Sequence, residues 1–118
     1  MTTKKILAVD LDGIITKEDP YKKTTDFEKT TMHVRQFNYI GSKPNDEMIE
    51  FLQEIDRNKY EIVVYTSRDR FFRGVTENWL TSWDVPYDDV IYNKLYFDYF
   101  IDDKATNNLN ELKKMMKK

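Results

Sequence analysis

Two short apolar runs in this chain each stop abruptly in a cluster of polar residues, and that pattern leaves few folds open. Ile6-Leu7-Ala8-Val9 ends in Asp10-Leu11-Asp12-Gly13, and Glu61-Ile62-Val63-Val64-Tyr65 ends in Thr66-Ser67-Arg68. A parallel strand covered on both faces reads as continuously rather than alternately apolar. Both runs are therefore expected as buried parallel strands. A third strand is expected at Tyr99-Phe100-Ile101, within the run from Tyr96 that leads to Asp102-Asp103, and a shorter edge strand at Val90-Ile91-Tyr92.

Helical patterns separate these runs. Pro44 and Asn45 are start signals for a helix that carries Met48, Ile49, Leu52 and Ile55 on one face, with Asn58 expected as its C-cap. After Arg68, Phe72, Val75, Trp79 and Leu80 are spaced for one buried stripe, closed by Asp84-Val85-Pro86. Asn107 to Lys118 reads as a third amphipathic helix, with Leu109, Leu112 and Met116 inward and lysines near its negative dipole end. Alternation of strand and helix is the signature of an α/β sheet. Thr16 to Lys43 has no sustained period and reads as a loop or hairpin excursion.

A chain of 118 residues leaves no room for a second independent domain, so a single domain over residues 1–118 is expected. Nineteen basic against 21 acidic residues give a net charge of −2, which argues against a nucleic-acid or membrane binder driven by charge. With no cysteine and one histidine, thiolate chemistry, Cys-type zinc sites and His pairs are excluded. No apolar run approaches the roughly 18 residues that span a bilayer, and the start MTTKKILAVDLDG is too short in its apolar core and too acidic for a signal peptide. A cytoplasmic protein is expected.

In a parallel α/β sheet, ligands bind beyond the carboxyl ends of the strands. The residues following the expected strands are Asp10 and Asp12, then Thr66, then Asp102 and Asp103. Four carboxylates at one edge repel one another unless a cation neutralises them. Magnesium fits that role, since it takes a few carboxylates together with water and phosphate oxygens.

The order of these residues resembles the haloacid dehalogenase superfamily of phosphotransferases over nearly the whole chain. ILAVDLDG is similar to that superfamily's first motif, VVYTSR to its second, Lys94 in YNKLYFDYFIDD to its third, and Asp102-Asp103 to its fourth. The resemblance implies a Rossmann-like three-layer sandwich around a central parallel sheet, with no cap domain and with residues 16–43 as a flap. It implies Asp10 as nucleophile, Asp12 as general acid/base, Thr66 as a donor to phosphate and Lys94 as a phosphate clamp. It further implies Mg2+ held by Asp10, Asp12, Asp102 and Asp103. Small members associated with capsule and surface-polysaccharide biosynthesis share a lysine and, about eight residues on, Ile-Asp-Asp-Lys-Ala. Here Leu95 follows Lys94, where such sequences usually have Pro.

The roles have a physical basis of their own. A carboxylate attacking a phosphate monoester faces charge repulsion that a cation and a lysine offset. Gly13 lets the chain turn so that Asp12 reaches the same site, where it can protonate the leaving oxygen and later take a proton from water. Ser67 is the alternative to Thr66 as phosphate donor. Arg68, with Arg70 and Arg73, can grip a substrate anion, or simply lie on a solvated helix face. In the irregular segment, Tyr21, Lys22, Lys23, His33, Arg35 and Tyr39 are candidate substrate contacts, and the aromatic cluster near Tyr96 is expected as core and as a contact in a homo-oligomer.

The reading that follows is a magnesium-dependent phosphomonoester hydrolase acting through an aspartyl-phosphate on a small metabolite, a sugar phosphate foremost. Its alternatives are a catalytically idle binding or regulatory module on the same fold, and a phosphatase for nucleotide or nucleic-acid phosphate. A glycosyltransferase-type Asp-x-Asp metal site would need a longer chain. A receiver domain would need its adjacent acidic pair after the first strand, and the order here differs.

Overall fold

The computed structural model describes residues 3–18, 32–95 and 97–117. Its centre is a three-stranded parallel sheet in the order β1 (Lys5–Val9), β2 (Tyr60–Tyr65), β3 (Asp89–Ile91). Lys5 pairs with Tyr60 and Val9 with Val64, while Val63 pairs with Asp89 and Tyr65 with Ile91. This register puts Leu7, Val9, Ile62, Val64 and Val90 on one face, all of them in the main core cluster.

Among the described residues four α-helices accompany the sheet: α1 (Met32–Ile40), α2 (Asp46–Gln53), α3 (Arg73–Ser82) and α4 (Leu109–Met116). Asn45 caps α2, its side chain accepting from the Met48 N–H at 3.3 Å. Its amide also donates to the Ile14 carbonyl at 3.0 Å, tying the helix start to the loop after β1. Ile49, Phe51 and Leu52 of α2 pack with Trp79 and Leu80 of α3 beneath the sheet, and Leu109, Leu112 and Met116 of α4 close the cluster. Asn108 caps α4 through the Glu111 N–H at 3.0 Å. None of the described helices is long and apolar enough to cross a membrane.

Several expectations are corrected. Among the described strands only the central one is covered on both faces: Ile62, Val63 and Val64 are buried, whereas Ile6 in β1, at the edge of this sheet, is 66% exposed. The helix after Asn45 ends at Glu54, well before Asn58, which sits in a turn with its N–H on Asp56 Oδ1. The third helix spans Leu109–Met116, with Asn108 as its N-cap and Lys117 as its C-cap, so it starts later than expected. Within the excursion, α1 is a regular helix packed against α3, with Tyr39 and Phe72 in edge-to-face contact at 5.0 Å. Residues 19–31, with Tyr21, Lys22 and Lys23, lie outside the described residues.

The largest correction concerns Tyr99 to Ile101, which form no strand. Tyr99 and Ile101 are 93% and 98% exposed, and Phe100 instead stacks on Phe97 at 4.9 Å. Val90 and Ile91 do belong to the edge strand β3, so the third strand of the sheet is the shorter candidate.

Candidate functional site

All three strands end at one edge, and the chain leaving each is tied to its neighbours there. Asp10 follows Val9, in register with Val64, and so leaves the sheet beside Tyr65 and Thr66. Its carboxylate accepts from the Leu11 N–H at 2.8 Å, capping the turn Leu11–Ile15, which the Thr16 N–H closes on the Leu11 carbonyl at 3.0 Å. Gly13 in this turn has φ 86°, a left-handed conformation that a side chain would strain. Its N–H donates to Thr16 Oγ1 at 3.0 Å, so this amide is engaged within the turn.

Asp12 and Arg68 meet in a two-pronged pair. Arg68 Nη2 donates to Asp12 Oδ1 at 2.7 Å, and Nε donates to Oδ2 at 3.0 Å. Arg68 Nη1 donates to Thr76 Oγ1 on α3 at 3.1 Å, and the guanidinium carbon lies 3.8 Å from the centre of the Tyr39 ring. Arg68 has no exposed surface and Asp12 keeps only 8%. Arg68 therefore does not reach outward to substrate, contrary to the expectation for it, and Tyr39 is a buried ring rather than a substrate contact. Thr76 and Tyr39 carry no sequence signal for this contact, since nothing in their spacing marks a partner of Arg68.

Thr66 was expected to donate to phosphate, but its side chain is fully enclosed and its hydroxyl accepts from the Arg68 N–H at 3.1 Å. Ser67, beside it, is half-buried. The Lys94 N–H donates to the Thr66 carbonyl and the Asn93 N–H to the Arg68 carbonyl, both at 2.9 Å, so the segment after β3 is laced onto the end of β2. Lys94 Nζ lies 5.1 Å from the Tyr65 ring centre and 5.3 Å from that of Phe97, a cation–π position at the same edge. Nearby, burial and the hydrogen bond to Glu77 hold the Tyr92 phenol protonated far above its ordinary range.

Arg70 is exposed, and Arg73 pairs with Glu77 at 2.9 Å on the outside of α3. Arg35 is half-buried on α1, which also holds His33. Asp102 and Asp103 are exposed, and Asp102 Oδ1 accepts from the Lys104 N–H at 2.7 Å in a local Asx turn. They do not follow a strand, and among the described residues no group of three His, Cys, Asp or Glu side chains could hold a metal ion. The donor set named for magnesium does not fit as arranged: both Asp12 oxygens face Arg68, and Asp102 serves its own turn.

No family model matches this chain, and no curated protein matches it. Solved structures do. A crystal structure of an MCSG target from Vibrio cholerae is 26% identical over 96% of this chain and 97% of that one, with a TM-score of 0.66. A chain from a Pnkp1/Rnl/Hen1 complex is 18% identical over 88% of this chain, with a TM-score of 0.54. A chain from the Pnkp1/Rnl/Hen1 RNA repair complex is 17% identical over 97% of this chain, with a TM-score of 0.55. This chain spans about a third of the length of those two, at 32% and 31%, and the likeness to them is one of fold.

Proposed function

We propose that this chain is a phosphomonoester hydrolase of the haloacid dehalogenase kind, acting through a phosphoryl group carried on Asp10. The substrate class is a small phosphorylated metabolite, with a sugar phosphate foremost. What supports the reading is that Asp10, Ser67 and Lys94, distant in sequence, leave three neighbouring strands at one edge. On this reading the parallel strands are the central layer of a Rossmann-like sandwich without a cap domain.

The chemistry runs in two steps. An Asp10 carboxylate oxygen attacks phosphorus, the bond to the leaving oxygen breaks, and Asp12 supplies that oxygen with a proton. Water then attacks the acyl phosphate, Asp12 takes its proton, and inorganic phosphate leaves with Asp10 restored. The Lys94 ammonium offsets the phosphate charge, and the Ser67 hydroxyl donates to a phosphate oxygen. A carboxylate has about four lone-pair sites, so the guanidinium leaves one on each Asp12 oxygen for the travelling proton.

A second reading, hydrolysis of nucleotide or nucleic-acid phosphate, draws on the fold likeness to the RNA repair complex chains. The net charge of −2 weighs against it. One panel tests both: sugar phosphates, nucleotides and 3′-phosphorylated oligonucleotides, in magnesium-containing and in chelated buffer, with Asp10→Asn beside the unaltered protein. Release of phosphate that Asp10→Asn abolishes is expected, and full turnover by Asp10→Asn would overturn the proposal.

A further inference from the structure

Arg68 is a fully buried cation, and the partners of its guanidinium come from three separate parts of the chain. Asp12 comes from the turn after β1, Tyr39 from α1 and Thr76 from α3. Taking a guanidinium out of water costs several kcal/mol, which only well-formed partners offset. Simple stability does not call for such a group, since apolar residues of similar volume often serve as well. What the arrangement does achieve is a fixed direction for one carboxylate. Asp12 sits at φ −75°, ψ 120°, beside Gly13 in the left-handed region, outside any regular helix. The backbone there does not dictate where the carboxylate points, whereas two parallel N–H···O bonds from a planar guanidinium do.

We propose that Arg68 is a positioning residue that holds Asp12 in its proton-transfer geometry, with Thr76 and the Tyr39 ring holding Arg68 in turn. The proposal rests on the reading of Asp12 as acid and base given above. It reassigns Arg68 from substrate anion binding to orientation of the proton donor, and it makes α1, in a segment expected as a flap, part of the supporting structure. Thr76 is the informative lever, because its replacement by Val keeps the volume, leaves both bonds to Asp12 possible and removes only the anchor on Nη1.

A proton donor matters most when the leaving group is poor, which separates positioning from general damage. Thr76→Val and Arg68→Lys would be assayed on p-nitrophenyl phosphate, whose leaving group needs little protonation, and on glycerol phosphate, whose alkoxide needs a great deal. For Thr76→Val the expected result is an unchanged KM and a kcat loss about tenfold larger for glycerol phosphate than for p-nitrophenyl phosphate, with a larger gap for Arg68→Lys. Equal losses on both substrates, or a raised KM with kcat intact, would overturn the proposal. Circular dichroism reports whether each variant folds, and if Arg68→Lys does not, Thr76→Val still decides. A second arm needs no turnover. In nitrogen-15 spectra, the Arg68 Nε–H is expected as a slowly exchanging resonance that shifts in Asp12→Asn, and a rapidly exchanging signal indifferent to that change would sink the pairing itself. Absence of turnover on every phosphomonoester removes the proposed function, and the spectra then still decide whether Arg68 holds Asp12.

Discussion

Lys94 and Thr66 are joined through the main chain, the Lys94 N–H donating to the Thr66 carbonyl at 2.9 Å. The bond fixes where the lysine side chain starts, so its ammonium rests between the Tyr65 and Phe97 rings at the edge where the strands end. Removing the charge should leave the backbone link intact. Lys94→Met is expected to lower kcat/KM for phosphomonoesters by roughly 10- to 100-fold, the worth of one charge-assisted hydrogen bond, with little change in melting temperature. Steady-state kinetics beside a thermal melt check both halves.

Thr66 has a different task. Its enclosed hydroxyl accepts from the Arg68 N–H, so Thr66→Val leaves a buried amide without its acceptor. A loss of about 1–3 kcal/mol is expected in urea unfolding, with Thr66→Ser close to the unaltered protein. A Val variant of full stability would show that the hydroxyl is not needed there.

Asp88 links the start of β3 to β2 twice, its N–H donating to the Ile62 carbonyl and its Oδ2 accepting from the Ile62 N–H, both at 2.8 Å. Burial pushes its carboxyl upward, but the hydrogen bonds from Arg57 and the Ile62 N–H, with the Arg57 charge, outweigh that and leave it below the ordinary value of 3.8. A carboxyl lowered by folding adds stability that is present above pH 3.8 and is lost as the pH falls through its folded value. With Asp88 and Arg57 about a third exposed, at 31% and 38%, the contribution is under about 1 kcal/mol. Asp88→Asn should therefore flatten the acid limb of a stability-versus-pH curve, and an unchanged limb would contradict the assignment.

Asp84, just past α3, has φ 54°, a conformation that favours glycine. Its carbonyl accepts from Gln53 Nε2 at 3.0 Å, a contact that any residue keeps. Asp84→Gly is expected to raise stability by about 0.5–1 kcal/mol, seen as a melting temperature a few degrees higher.

The apolar runs before Asp10 and Thr66 announced β1 and β2, although only in β2 does the run correspond to burial on both faces. Tyr99 to Ile101 carried a similar run without becoming a strand, since β3 is only three residues long and forms no ladder with that segment. The helix α1 went unseen for the opposite reason. Of its apolar residues, Phe37 and Ile40 are 76% and 62% exposed while Tyr39 is 1% exposed, so composition does not trace the buried side. The Asp12–Arg68 pair spans 56 positions, and no local spacing reports it. The position of Asp10 was legible because strand ends are where a parallel sheet leaves polar groups for ligands, whereas Lys94 was singled out only by the resemblance to the third motif.

The parallel pairing of β1 with β2 also sets a schedule for folding. Lys5 pairs with Tyr60, so among the described residues the first strand finds its ladder partner only after half the chain has been made. Closing so long a loop before any ladder bond forms is entropically costly, and topologies of this kind fold slowly. Arg68 lies later still, just past β2, so its two bonds to Asp12 form only after more than half of the chain has been made.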